Sequence, residues 1–157
     1  MRILLAMVLA VAVPTIGLAA GSASKSEKTD KGVPSGVTAD SRFDEGVAHA
    51  KAGEWAQAEL AFREATMRRP KFPEAWNGLG HSLKMQRKFP DALKAYDEAL
   101  RQRPDFPEAI EYLGETYVAM GRTDDARAQL ARLKPLDATL AARLEQSIAE
   151  GKPNPNW

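Results

Sequence analysis

The sequence predicts an all-α fold, a right-handed α-solenoid of three helix pairs followed by a C-terminal capping helix. Three observations carry this prediction. Residues 69–80, RPKFPEAWNGLG, recur 34 residues later as RPDFPEAIEYLG, with eight of the twelve positions identical. The same offset aligns small residues, Gly46 with Gly80 and Gly114, and Ala58 with Ala92 and Ala126. It also aligns large apolar residues, Phe62 with Tyr96 and Leu130. A fixed period of roughly 20–50 residues marks units that bury their apolar faces on one another. The units here are 39–72, 73–106 and 107–140, and apolar spacing within each reads as two helices.

Taken in order along the chain, residues 1–20 are MRILLAMVLAVAVPTIGLAA. Arg2 precedes an uninterrupted apolar run from Ile3 to Val13, Pro14 and Gly17 interrupt it, and small residues follow at Ala19, Ala20 and Ala23. This is the layout of a secretory signal peptide, with cleavage expected near Ala19–Ala23. The run is shorter than the roughly 20 residues of a membrane-spanning helix. An uncleaved anchor at the inner membrane, facing the periplasm, is the alternative. Arg2 is the one charged residue of the segment, so cleavage leaves 21 basic against 21 acidic residues. Residues 21–38 are rich in Ser, Lys and Gly and poor in bulky apolar side chains, which predicts a disordered linker.

The second unit shows the logic of the repeat. Pro73 suits a first helical position, where its missing N–H costs nothing. Glu74 follows, favourable beside the positive end of the helix dipole. Trp76, Leu79, Gly80 and Leu83 then define a buried face. The segment KMQRKFP reads as a short polar turn. Ala92, Tyr96, Ala99 and Leu100 mark the stripe of a second helix, Arg101 and Arg103 suit its negative end, and Pro104 stops it. Beyond the third unit, Leu136, Leu140, Leu144 and Ile148 recur every four residues and predict an amphipathic capping helix over 136–150. Residues 151–157, GKPNPNW, form a tail whose Trp157 is placed either free or against the domain or a partner.

The columns Trp76, Leu79, Gly80, Leu83, Phe89, Ala92, Tyr96, Ala99 and Pro104 resemble the tetratricopeptide repeat. The third unit keeps Leu113, Gly114, Tyr117, Gly121, Ala126 and Leu130, with Ile110 in place of Trp. The first keeps Gly46, Gly53, Trp55, Ala58, Phe62, Ala65 and Pro70, but has Arg42 and Glu45 where the pattern has Trp and Leu. Polar replacements of this kind are expected in a terminal repeat, which lacks a neighbour on one side.

The resemblance implies ligand binding in a groove formed by the first helix of each pair. The places facing it would hold Asp40, Phe43, Val47 and Ala50, then Glu74, Asn77, His81 and Lys84, then Glu108, Glu111, Glu115 and Val118. The groove would grade from apolar through polar to acidic, and the partner-binding residues expected are Phe43, Val47, Asn77, His81, Lys84, Glu108, Glu111 and Glu115. His81 is expected to be solvated or to meet a partner. Glu108, Glu111 and Glu115 share a helical face, expected either to be solvated or to receive a basic segment. The clamp of Lys, Asn and Arg by which some members hold a C-terminal carboxylate is not reproduced, because Phe43, Val47, Glu108 and Tyr112 stand at its places.

Composition narrows the function. The chain has 157 residues, a formal net charge of +1, no cysteine and two histidines. Disulfides and thiol chemistry are therefore excluded. No repeated His site, HExxH, GxSxG, phosphate loop or dinucleotide fingerprint is present, so no catalytic, metal or cofactor site is expected. His49, aligned with Tyr117, is expected at a packed position. Asp124 and Asp125 begin a helix and suit its dipole. Basic and acidic residues are interspersed, against nucleic-acid binding.

The reading is a non-enzymatic protein–protein interaction adaptor or scaffold of the bacterial cell envelope, periplasmic or secreted. It would bind a protein or peptide segment and stay out of the membrane after cleavage. A self-associating or architectural subunit of an envelope complex, or a membrane-anchored assembly factor, remains the alternative, and oligomeric state is left open. Ala92 is expected where paired helices approach closely, so Ala92→Leu should overpack the contact. A loss of about 1–3 kcal/mol in a urea titration is expected.

Overall fold

A computed structural model describes residues 36–153. The expected signal peptide and most of the linker, like Trp157, lie outside the described residues. Seven α-helices, and no strand, occur among them: α1 (Ala39–Lys51), α2 (Trp55–Arg68), α3 (Pro73–Met85), α4 (Phe89–Gln102), α5 (Pro107–Ala119), α6 (Thr123–Leu133) and α7 (Ala138–Glu150). Pairs α1–α2, α3–α4 and α5–α6 stack in sequence, and α7 packs on α5 and α6. The fold is thus the predicted all-α solenoid with a cap.

The first two pairs close on the side chains the repeat writes as Phe62 and Tyr96. A Cβ added to Gly46 would stand 2.7 Å from the Phe62 ring, and one added to Gly78 would stand equally close to the same ring. Phe62 therefore lies between bare backbone of its own pair and bare backbone of the next. Tyr96, fully buried, sits in the same way on Gly80. In the third pair the cap takes part, since Leu144 of α7 occupies the space over Gly114. Ala58, Ala92 and Ala126 are completely buried, as close approach of paired helices requires.

The turns inside each pair also repeat. Gly53, Arg87 and Gly121 stand 34 residues apart, and all three have positive φ, at 75°, 61° and 73°. Glycine is the ordinary occupant of this conformation; Arg87 takes it with its guanidinium over the Phe89 ring. The polar turn is shorter than the sequence suggests, since Lys84 and Met85 end α3 and Phe89 and Pro90 begin α4. Gln86 docks it on the preceding pair, its Nε2 donating to the Trp55 carbonyl at 3.1 Å and to Glu59 Oε2 at 2.8 Å.

The arginines of the recurring Arg-Pro do more than face a helix dipole. Arg69 donates to Asp40 at 2.5 Å and stacks 3.7 Å from the centre of the Phe72 ring. One period later Arg103 pairs with Glu74 and stacks on Phe106. Each ties the end of a pair back to its own first helix. The third pair lacks the device, because Asp137 stands at the aligned place. Asp137 instead caps α7, accepting from the backbone N–H groups of Thr139 and Leu140 at 2.8 Å. The cap starts at Ala138, so Leu136 is outside it and 38% exposed, and the buried face is Ala141, Leu144 and Ser147.

The first pair departs from the apolar columns with a purpose. Arg42 and Glu45, in the Trp and Leu columns, pair with each other at 2.6 Å, and Arg42 Nε reaches Glu64 at 2.9 Å. His49 meets Glu54 at 2.5 Å. Its ring is 30% exposed, partly packed like the aligned Tyr117, and no helix precedes α1 among the described residues.

Glycine at position 80 tests the close approach directly. Gly80→Ala gains about 1 kcal/mol of helix propensity. It also places a methyl 2.7 Å from the Tyr96 ring, which is 0% exposed. Overpacking should win, with a net loss of about 1–2 kcal/mol in chemical denaturation.

Candidate functional site

A cavity of about 190 Å³ opens on the groove side of the first two pairs. Phe43 and Val47 of α1, one helical turn apart, form one wall. Asn77, Gly78 and His81 of α3 form the other, Phe62 the floor, and Tyr112 of α5 an end. Lys51 and Glu74 also line it. The aromatic walls are coupled, with Phe43 5.7 Å from Phe62 and 4.9 Å from Phe72 between ring centres. The cavity is of the size that holds one benzene-like group, about 150 Å³. Of the eight groove residues expected from the sequence, the structure gathers four here: Phe43, Val47, Asn77 and His81.

His81 is a correction. It is 3% exposed rather than solvated. Its ring lies 5.4 Å from Trp55, edge-on, and 4.7 Å from Tyr112. Residues of the pairs on either side cover it, which the spacing along one helix does not show. Burial pushes its pKa down to about 3, and the Lys84 charge adds to the effect.

The acidic face is a second correction. Glu111 is 1% exposed and Glu115 is buried. Arg143 of α7 holds Glu111 bidentately, Nε to Oε1 at 2.8 Å and a terminal nitrogen to Oε2 at 2.7 Å. Lys84, itself buried, donates to Glu115 at 2.6 Å. Lys84 is therefore a structural cation between α3 and α5 and not a groove-lining one. Burial raises the Glu111 pKa despite Arg143. Breaking a buried pair of this kind costs about 3–5 kcal/mol because a charge is left behind. Glu108 alone of the three acids is exposed, and no cation pairs with it among the described residues. The gradient from apolar to acidic thus becomes an apolar cavity followed by internally neutralised pairs.

The sequence reading missed Phe62, Gly78, Tyr112 and Lys51 as cavity residues. One signal was available. Gly78 and Tyr112 are aligned at the 34-residue offset and differ more in size than any other aligned pair on this face. Tyr112, whose pKa burial raises to about 12, packs toward Tyr96 at 6.5 Å between ring centres. Gly78 leaves the equivalent space to Phe62 and the cavity. No group of three or more metal-ligating side chains occurs among the described residues.

Stacked pairs with this turn, glycine and ring pattern define a helical-repeat solenoid. Models of the tetratricopeptide repeat match residues 43–86 and 83–149, which together span most of the chain. The chain belongs to the tetratricopeptide repeat family. No curated protein sequence matches it. Among solved structures it is similar to the TPR2B domain of yeast Sti1 in a complex with pHsp70. That likeness has 20% identity and a TM-score of 0.67, covering 72% of this chain and 94% of that one. It is similar to the first TPR of Spaghetti (RPAP3) bound to the HSP90 peptide SRMEEVD, at 16% identity, TM-score 0.67 and coverage of 72% and 91%. It is also similar to PcrH in complex with the chaperone binding region of PopD, at 20% identity, TM-score 0.66 and coverage of 71% and 89%.

The neutral, buried His81 links stability to pH. An unfolded histidine takes a proton below about 6.5, whereas the folded ring resists it until about 3. The stability contributed by the neutral ring is complete above pH 6.5 and is lost as pH falls toward 3. Urea titrations at pH 7 and pH 5 should show a loss of about 2 kcal/mol from this group. His81→Leu should remove most of that difference.

Proposed function

We propose that this chain is a non-enzymatic adaptor of the bacterial cell envelope that holds a segment of a partner protein in the groove between α1, α3 and α5. The observation that carries the reading is the open, aromatic-walled cavity on that groove. Its walls come from different repeats, so it exists only in the stacked state. Apolar concave sites with a few polar groups at the edge are the usual form of binding sites. The similar domains of Sti1, RPAP3 and PcrH were solved with peptide or protein segments bound, which supports the same use here. The envelope context rests on the signal-like sequence of residues 1–20. No described helix is long and apolar enough to cross a membrane.

A second reading, self-association, has one observation in its favour. Leu60 and Met67 of α2 are 62% and 67% exposed, where the second repeat carries Lys94 and Arg101. Light scattering on the purified chain separates the two. A dimer dissociated by Leu60→Lys and Met67→Arg supports association through α2, and a monomer opposes it.

The adaptor reading is tested by pull-down from an envelope fraction with the wild type and two variants. Val47→Glu places a carboxylate in the cavity and should reduce capture at least tenfold, equivalent to about 1.4 kcal/mol. Leu60→Lys lies away from the groove and should leave capture intact. Identical capture by all three would overturn groove binding. N-terminal sequencing of the exported protein should begin near residues 20–24; an intact Met1 would favour the anchored form.

A further inference from the structure

The cavity belongs to one inter-repeat space and not to the repeat. Gly78 of α3 leaves room that the Phe62 ring and the cavity share, since a Cβ there would stand 2.7 Å from that ring. One period on, Tyr112 takes the place of Gly78. Its ring lies 4.7 Å from His81 and 6.5 Å from Tyr96 between centres, and it fills the equivalent space between the second and third pairs. Close packing fills that space with the chain's own side chain; beside Gly78 the sequence leaves it open.

The open space has a definite size and chemistry. Its volume of about 190 Å³ exceeds the roughly 150 Å³ that holds benzene. Phe43, Val47 and Phe62 make it apolar and largely aromatic. It is also lined by the side-chain amide of Asn77, whose Oδ1 is buried and accepts no hydrogen bond among the described residues. A buried acceptor without a donor is costly, and the amide can turn to offer that oxygen to a donor inside the cavity.

Charge gives no direction here. Burial keeps His81 neutral. Glu74 lines the cavity but is held by Arg103. Lys51 also lines it, and the exposed Asp44, next to Phe43 on the same helix, has the opposite sign, so neither sets a preference. The Tyr112 face, which could attract a cation, already carries the Lys84 ammonium 5.1 Å from its centre.

We propose that the cavity binds a free, neutral molecule of one aromatic ring bearing a hydroxyl or N–H group, with the ring among Phe43, Val47 and Phe62 and the donor on Asn77 Oδ1. This goes beyond the adaptor reading and does not depend on it. A partner segment crossing the groove needs hydrogen-bonding partners for its backbone as well as room for a side chain. A single-ring molecule needs only the cavity and one acceptor, and both are present in the same place.

The test is a ligand-observed NMR titration of the purified full chain with phenol, toluene, benzoate and benzylamine, which share the ring and differ in the substituent. Phenol and toluene should bind with Kd on the order of 1 mM, the scale for ligands of so few atoms. Benzoate and benzylamine should bind about tenfold or more weakly, because each would bring a charge among apolar walls. Val47→Phe, which fills the cavity, should weaken phenol and toluene about tenfold or more, with circular dichroism confirming the fold. Toluene has the shape of phenol without its donor, so Asn77→Leu should lower the phenol-to-toluene affinity ratio about three- to tenfold, the scale of one neutral hydrogen bond. Leu60→Lys, which does not line the cavity, should change neither affinity.

No saturable binding of either neutral ring, binding that survives Val47→Phe, or a charged ring as the tightest ligand would overturn the inference. A phenol-to-toluene ratio unmoved by Asn77→Leu would overturn it through the donor contact. Ring binding lost as light scattering shows dimers would identify a second copy as the occupant and overturn it equally. Each of these results can stand beside Val47-dependent capture of a partner, so the failure of this inference and that of the adaptor reading are read separately.

Discussion

The structure depends on one close approach: aromatic rings seated on helix backbone that carries no side chain. The Phe62 ring lies 2.7 Å from where a Cβ on Gly46 or on Gly78 would stand. One ring therefore holds a pair together and joins it to the next. Interiors are packed densely enough that such a contact fixes the distance between elements. The candidate site follows from the same atoms, because the ring that joins the first two repeats also lines the cavity. A change that loosens the stack at Phe62 changes the site as well. Cavity and fold share this residue more fully than they share the partly buried walls, Phe43 and Val47.

Around that apolar frame, acids and bases are matched across long sequence separations. The two Arg69-type pairs are substantially exposed, and pairs of that kind contribute little to stability, typically below about 1 kcal/mol. Stacking on Phe72 and Phe106 accounts for more of their value, since it orders the turn between repeats. Lys84–Glu115 and Arg143–Glu111 differ because at least one partner is removed from water. Their effect is on register. Slide α5 by one turn against α3, or α7 against α5, and a buried charge loses its counterpart. Such a pair contributes to specificity even where an apolar pair would contribute more to stability.

Much of this fold could be read before any coordinates, and the reasons are local. Gly80, Ala92, Tyr96 and Pro104 each state what one position of the repeat must do, and the 34-residue offset states it again. The cavity was half legible, through Phe43, Val47, Asn77 and His81. The offset failed on what faces what. Glu111, Glu115 and Lys84 look like surface charges on a helical wheel, yet their partners lie 31 or 32 residues away on other helices. A wheel places a residue on a face; it does not say whether another helix covers that face. The exchange of Gly78 for Tyr112 held the missing information, because only a difference between aligned residues can distinguish one inter-repeat space from the next.

The charged side of α1 has a consequence for the size of the molecule. Identical stacking units have no intrinsic length, and an uncovered apolar column is an invitation for another unit, from the same chain or a different one, to add. Arg42, Glu45 and Glu64 satisfy one another across that column, and at the opposite end Leu144 fills the place over Gly114. Among the described residues, one end of the stack thus presents paired charges and the other a filled place, and neither offers an apolar column to a further unit.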